Sequence, residues 1–257
     1  MKPLSEITID IGELDNLVRK AMEMENFNPA CCAVKYWKSR MNLQVRAVLR
    51  EKKRLPYGYV GDGWPNKAKQ TWAIAHDKRH LFEAFSHEDW DTRDVGDAVY
   101  QANVILDLLS KNSLSIVDIG GGYGRLAIPF LHWSKAVSLP MKYYSVDYIP
   151  ESILIAPQVI AQMVGTGSFQ EVPAWQIDTL KDKKHDVFIS VHSFQEMERK
   201  TVDFYVQFMN KFKGSLLYSI NIWPTDPYVP NEWELILTRG FPINRDGSYS
   251  EKVWRIR

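Results

Sequence analysis

The chain has 257 residues, of which 45% are hydrophobic and 25% are charged. These are the proportions of an ordinary globular protein, and they argue against a disordered chain, a collagen or a disulfide scaffold. Lys and Arg together number 32 and Asp and Glu 31, so the formal net charge is +1. That balance argues against a surface built throughout for nucleic acid.

The cysteines and the N-terminus indicate the compartment. The two cysteines, Cys31 and Cys32, are adjacent in sequence, which favours free thiols in a reducing environment. No apolar run approaches the roughly 18 residues that cross a bilayer, and acids interrupt the N-terminal residues where a signal peptide would be apolar. We therefore expect a cytoplasmic protein without a membrane span.

Residues 1–112 carry apolar residues at helical spacing and show no alternation of strands and helices. The spacing predicts helices at 14–24, 34–49, 67–85 and 98–109. We interpret this part as a helical cap that forms the substrate region.

Charge is unevenly spread within this cap. Residues 35–69 contain ten Lys or Arg against two acids, whereas residues 70–110 carry a balance of −5. A solvated helix face neutralised by the neighbouring acids accounts for this pattern. A binding site for an anionic substrate, for phosphates or for acidic glycolipid is an alternative interpretation of the same charges. Binding of nucleic acid is another open alternative, because aromatic residues are interleaved with the charges of segment 35–69.

His76 and His80 have the spacing of two zinc ligands on one helix. However, Asp77 stands where such helices carry Glu, and two cations, Lys78 and Arg79, lie between the histidines. We therefore expect no metal site, and we expect these side chains to line the mouth of the site or to face solvent.

From residue 113 onwards, short β-branched runs alternate with helical stretches. The pattern predicts strands at 115–119, 143–147, 174–178, 186–191 and 215–222 and helices at 126–133, 151–163 and 204–212. Two more strands, at 233–238 and 252–256, flank an Asp246-Gly247 turn signal. This pattern is typical of an α/β fold in which an antiparallel hairpin is added last to a parallel sheet.

The segment Asp118-Ile119-Gly120-Gly121-Gly122-Tyr123-Gly124 lies between a predicted strand and a predicted helix. Gly122-x-Gly124-x-x-Ala127 satisfies the dinucleotide fingerprint, with Asp147 as a ribose ligand. That reading leaves Asp118 and Gly120 without a role. The pattern Asp-x-Gly-x-Gly-x-Gly uses both, and a carboxylate at the tip of the strand can accept a hydrogen bond from an ammonium group. S-adenosylmethionine has such a group and NAD lacks it, so the sequence favours S-adenosylmethionine.

On these residues, the segment 113–257 resembles the class I S-adenosylmethionine-dependent methyltransferases, which have a Rossmann-like sheet ending in an antiparallel hairpin. The resemblance implies that the glycines cradle the methionine end of the cofactor, with Asp118 near its amino group. It implies further that Asp147 binds the ribose and that Asp178, after the third strand, approaches the adenine. The cofactor-binding set that it implies is Asp118, Gly120, Gly121, Gly122, Gly124, Asp147, Tyr148 and Asp178. Ordinary capping of strand ends is the alternative for the three acids.

Two short strings resemble sugar O-methyltransferases of bacterial surface-polysaccharide pathways. They are Ser-Phe-Gln-Glu-Met at 193–197 and Tyr-Ser-Ile-Asn-Ile-Trp at 218–223. The resemblance implies methylation of a sugar or glycoconjugate hydroxyl, with a small molecule or glycan as partner rather than nucleic acid. A methyltransferase for another small molecule, and a protein that binds or modifies RNA through segment 35–69, remain alternatives.

A hydroxyl acceptor must lose its proton when it takes a methyl group. His192 and Glu196 follow the fourth predicted strand and are four residues apart. On a helical turn they would share a face and could act as a catalytic base and its orienting partner. A structural histidine and a local hydrogen-bond anchor are the alternatives.

Overall fold

The structure is a computed structural model that describes residues 7–24, 28–31, 50, 93–222, 229–240 and 249–257. Several predicted features lie outside the described residues. They are the helices at 34–49 and 67–85, the basic segment 35–69 apart from Arg50, the His76–His80 pair and the 246–247 turn.

Five α-helices and seven strands make up the described part. The helices are α1 (Leu14–Met24), α2 (Arg93–Asp107), α3 (Ala127–Ala136), α4 (Pro150–Met163) and α5 (Arg199–Met209). The strands are β1 (Leu114–Ile119), β2 (Met141–Asp147), β3 (Phe169–Pro173), β4 (Val187–Val191), β5 (Leu216–Asn221), β6 (Glu234–Gly240) and β7 (Ser250–Arg255). Short 3-10 helices span Pro29–Cys31, Ala174–Leu180 and Phe194–Glu196.

The strands form one sheet in the order β3-β2-β1-β4-β5-β7-β6. Strands β1 to β5 pair in parallel, β7 is antiparallel to β5, and β6 is antiparallel to β7. The predicted parallel sheet with a final antiparallel pair is therefore confirmed. Because β1 to β5 run in the same direction, their carboxyl ends meet along one edge.

Helices cover both faces of the sheet, and this explains why the central strands are apolar throughout. In β1, Ile116 belongs to the core shared with α2, α3 and α4, whereas its neighbour Val117 faces the core shared with α5 and the 3-10 helix Ala174–Leu180. Successive side chains of a strand point to opposite faces, so one β-branched run serves both cores.

The described N-terminal residues pack onto this sheet domain. Gln158 and Gln162, one turn apart on α4, each exchange two hydrogen bonds with the extended chain before α1. The backbone N–H and carbonyl of Asp10 pair with Gln158, and those of Thr8 pair with Gln162. The two amide side chains thus act as a strand partner for residues 8–10. The division into a cap and a sheet domain at residue 112 stays a prediction.

The prediction of the third strand is wrong. The strand lies at Phe169–Pro173, and residues 174–178 fall in the 3-10 helix that follows. Ala174, Ile177 and Leu180 are buried at every third position, which is the period of a 3-10 helix and not of a strand.

The predicted helix at 204–212 begins earlier, at Arg199, and ends at Met209. Its buried stripe of Val202, Tyr205, Val206 and Met209 has the i, i+3, i+4, i+7 spacing of a helix packed against a core. None of the described helices combines the length and the apolar composition of a membrane span.

Candidate functional site

A glycine turn, residues 120–124, connects the central strand β1 to α3. Gly120 and Gly122 have φ angles of 78° and 59°, in the left-handed region that favours glycine. A Cβ on Gly120 would lie 2.4 Å from Cβ of Ser193, whereas a Cβ on Gly122 would meet no atom within 4 Å. The turn therefore packs tightly against the segment after β4 and is open at Gly122.

The other two glycines of the turn face the protein interior. A Cβ on Gly121 would lie 2.5 Å from Oγ of Ser145, and one on Gly124 would lie 3.2 Å from the side chain of Ile160. These two glycines therefore allow the turn to sit close to β2 and α4.

Asp147 fixes the turn to the end of β2. Its carboxylate accepts hydrogen bonds from the backbone N–H groups of Gly122, at 3.0 Å, and Ile149, at 2.8 Å. Burial raises the pKa of Asp147 to about 6, and the backbone donors oppose this rise only in part. A buried acid thus lies directly beside the open side of the turn.

Asp118 supports the turn from the end of β1. It is buried and accepts a hydrogen bond of 2.6 Å from the hydroxyl of Tyr143. Burial raises the pKa of Asp118 to about 6, while the Tyr143 hydroxyl and the positive charge of Arg125 lower it. A Cβ on Gly121 would lie 3.3 Å from its Oδ2, so this carboxylate is in close contact with the turn.

A third carboxylate, that of Glu171 on β3, belongs to the same group. Both of its oxygens are buried, and the residue pairs in register with Ser145 of β2. Burial raises the pKa of Glu171 well above its usual range; the charges of Asp147 and Asp118 raise it further, and Ser145 lowers it. The charge of Asp118 thus opposes ionisation of Asp147, and the charges of both oppose ionisation of Glu171. A positively charged ligand beside them would favour their ionised forms.

Sequence reasoning missed Glu171 and Arg125. The sequence pattern places the third strand one segment too late, whereas the correct strand puts Glu171 on the same face as Phe169. Arg125 directly follows the last glycine of the turn, and its Nη2 donates a 3.4 Å hydrogen bond to Gln101 of α2. The position of Arg125 directly after the glycine motif is the signal in the sequence that could have identified it.

Tyr148 and Asp178 lie beyond the ends of β2 and β3. Tyr148 donates a hydrogen bond from its hydroxyl to the carbonyl of Ala21, 3.1 Å away, and so connects the end of β2 to α1. Asp178 is exposed on the 3-10 helix and not at the tip of a strand. The strand position from which its adenine-binding role was inferred is therefore wrong, and that role stays a prediction.

His192 and Glu196 do not lie on one helical turn, contrary to the prediction. His192 has a φ of 60°, and only after this left-handed residue do Phe194–Glu196 form a short 3-10 helix. The shared helical face therefore does not exist. The imidazole instead contacts the ring of Tyr249 edge-on, with ring centres 4.5 Å apart. The role of His192 as a base stays a prediction.

No protein-family model matches the chain, and no curated protein matches its sequence significantly. Solved structures do resemble it. TrmN from Thermus thermophilus is 13% identical with a TM-score of 0.50; the match covers 70% of this chain and 53% of that one, so the chain spans about half the length of TrmN. A SAM dependent methyltransferase from Aquifex aeolicus is 16% identical over 76% of this chain and 100% of that one, with a TM-score of 0.46. An rRNA methylase from Streptococcus thermophilus is 9% identical over 62% and 96%, with a TM-score of 0.46.

The chain has the class I methyltransferase fold. The sheet order and the final antiparallel pair agree with it, and identities this low establish the fold alone. In this fold the glycine turn and the ends of β1, β2 and β4 lie along one edge, where open α/β sheets bind their ligands. Among the described residues, no group of three His, Cys, Asp or Glu side chains could hold a metal ion.

Proposed function

We propose that the protein is an S-adenosylmethionine-dependent methyltransferase whose glycine turn and neighbouring acids bind the cofactor. The observation that carries the proposal is the group of three carboxylates, Asp118, Asp147 and Glu171. Burial raises the pKa of all three, and the charge of Asp118 raises the pKa of Asp147 and Glu171 further. A ligand with a sulfonium and an ammonium group would offset this charge. The pyrophosphate of NAD would add two negative charges beside it, which argues against the dinucleotide alternative.

The residues present fit the cofactor in chemical terms. Asp147 offers a buried carboxylate to the ribose hydroxyls, and the turn at Gly122 leaves room for a ligand against the backbone. Asp118 supplies the negative charge for the ammonium group, and the half-buried guanidinium of Arg125 suits the α-carboxylate. When bound, the cofactor supplies a methyl group on a positively charged sulfur.

We further propose that the acceptor is a hydroxyl and that His192 takes its proton. His192 lies at the carboxyl end of β4, next to the strand that carries the glycine turn, and its ring contacts Tyr249. Neutral imidazole accepts a proton near pH 7. A sugar or glycoconjugate as acceptor rests on the resemblance of segments 193–197 and 218–223, with the helical cap, residues 1–112, as the substrate region.

Transfer of labelled methyl groups tests the acceptor. The full chain is incubated with methyl-labelled S-adenosylmethionine and three acceptor panels: nucleotide sugars and glycans, other small hydroxyl compounds, and RNA. We expect label in the first panel, and we expect His192→Ala to abolish most of it. Label in RNA alone, with an affinity that falls steeply with salt, would replace the sugar by the RNA alternative. No label in any panel and no cofactor binding would refute the proposal.

A further inference from the structure

His192 has a backbone conformation that L-residues rarely adopt. Among the described residues, it and Ser138 are the two with a positive φ that are not glycine. Ser138 is exposed in the turn after α3, whereas His192 is partly buried at the carboxyl end of a central strand. A left-handed residue other than glycine persists only where the surroundings hold it, and such residues cluster at functional sites.

Strand β5 holds this turn from one side through Asn221, which is 1% exposed. The Nδ2 of Asn221 donates to the carbonyl of Ser190, at 3.2 Å, and its Oδ1 accepts from the backbone N–H of Gln195, at 3.3 Å. One amide side chain therefore binds the backbone on both sides of His192. The backbone N–H of His192 itself donates to the carbonyl of Ile220, at 2.7 Å.

Gln195 returns the contact. Its Oε1 accepts a 2.6 Å hydrogen bond from the backbone N–H of Ile222, the residue after Asn221. Each of the two amide side chains therefore accepts from the backbone of the other segment. This reciprocal pair, the Gln195–Asn221 brace, fixes how far the turn stands from the end of β5.

Strand β1 holds the turn from the other side. The Ser193 hydroxyl donates to the carbonyl of Ile119, at 2.6 Å, and its oxygen lies 2.8 Å from the Ser190 hydroxyl. The same Ser193 lies against Gly120, where a Cβ would clash. The segment that carries His192 is thus fixed between the glycine turn and β5, and the imidazole projects from a rigid base.

We propose that Gln195 and Asn221 are positioning residues that hold the imidazole of His192 at the acceptor side of the site. The inference rests on the proposed function, in which His192 takes the acceptor's proton. Without the Gln195 oxygen that accepts the hydrogen bond from Ile222, the left-handed turn at His192 can relax, and the imidazole then moves away from Tyr249. A misplacement of about 1 Å can lower a catalysed rate by roughly a hundredfold.

Two variants of Gln195 test the brace. Gln195→Met removes the oxygen that accepts from Ile222 at similar length, whereas Gln195→Glu keeps such an oxygen. Gln207→Met, on an exposed position of α5, is the control for adding a methionine. Gln195→Ala removes the same hydrogen-bond acceptor. It serves as the second test if thermal unfolding shows that the methionine variant is not folded.

The readout is the NMR signal of the His192 ring in the protein without cofactor. An edge-on ring 4.5 Å away shifts the imidazole protons, and Tyr249→Leu measures the size of that shift. We expect Gln195→Met to lose most of the shift and Gln195→Glu and Gln207→Met to keep it. Turnover should fall by about tenfold to a hundredfold in Gln195→Met, with S-adenosylhomocysteine affinity within about twofold.

A Gln195→Met protein with the full ring shift would overturn the inference, whether or not turnover falls. An equal loss of the ring shift in Gln195→Glu and Gln195→Met would also overturn the inference, because the oxygen that accepts from Ile222 would then have no effect on the position of the imidazole. The ring shift needs no cofactor. If the parent protein fails to bind S-adenosylhomocysteine, the proposed function fails, while the NMR comparison still decides whether the brace holds the imidazole.

Discussion

Affinity for S-adenosylmethionine should increase with pH between about pH 5 and pH 7. The pKa values of Asp118 and Asp147 are both raised to about 6, so near pH 5 most of these carboxyls hold a proton. A cationic ligand binds their ionised forms better and therefore releases the protons. One such group makes the affinity at pH 5 about tenfold weaker than at pH 7, and two make it roughly a hundredfold weaker.

Stability of the ligand-free protein should change in the opposite direction. The two carboxyls have an ordinary pKa of 3.8 and a pKa of about 6 in the fold. The folded state therefore binds more protons than the unfolded state between about pH 4 and pH 6. The free energy of unfolding consequently falls as pH rises through this window, by up to about 3 kcal/mol for each group.

Calorimetric titrations at several pH values and constant ionic strength measure the first trend, and urea unfolding measures the second. Asp147→Asn removes one titrating group, so it should remove about half of the logarithmic pH dependence. It keeps only one of the two oxygens that accept from Gly122 and Ile149, so its affinity should also be lower at every pH. Asp203→Asn, on the half-exposed surface of α5, is the matched control and should leave the dependence unchanged. An affinity that is flat or rises towards acid pH would refute the assignment of these carboxylates to a cationic ligand.

Three further substitutions separate chemistry, cofactor space and folding. His192→Ala should lower turnover by roughly 10²–10⁴ with cofactor affinity nearly unchanged. A variant with most of its activity would eliminate His192 as the base. Gly122→Ala adds a Cβ into open space and should cost about 1 kcal/mol of stability and roughly tenfold or more in S-adenosylhomocysteine affinity. Gly165→Ala is the control, because Gly165 also has a positive φ, 90° against 59°, and open surroundings, and it should cost stability alone. Equal affinities of the two variants would contradict a ligand at Gly122. Glu251→Leu should lower the free energy of unfolding, measured in urea, by about 3–5 kcal/mol, because this buried carboxylate accepts hydrogen bonds from Tyr100, Tyr218 and Arg239. Tyr100 lies on α2, so a loss below about 1 kcal/mol would show that these hydrogen bonds do not hold α2 to the sheet.

The alternation of strands and helices after residue 113 could be predicted because local sequence determines it. β1, β2 and β4 are β-branched or aromatic runs buried on both faces, and the glycines between β1 and α3 mark a turn that needs positive φ angles. The sequence pattern misplaces β3 because β3 is an edge strand with the polar residues Gln170 and Glu171, while the 3-10 helix after it has the more strand-like composition.

Contacts between distant residues could not be predicted. Glu251 meets Tyr100 across 151 positions of sequence, and Ser193 meets Ile119 across 74. The left-handed φ of His192 depends on such contacts, since no local signal in Val191-His192-Ser193 demands it. For this reason the spacing of His192 and Glu196 predicted a helical turn that the tertiary contacts of the segment do not allow.

Calorimetric titration of the full chain with S-adenosylhomocysteine and with NAD at pH 7 tests the central claim most directly. We expect a dissociation constant for S-adenosylhomocysteine in the micromolar range, no detectable binding of NAD, and a loss of about 1–3 kcal/mol of binding free energy in Asp147→Ala. Tight binding of NAD, with no heat from S-adenosylhomocysteine, would contradict the account, because the buried acids beside the glycine turn would then accommodate a pyrophosphate.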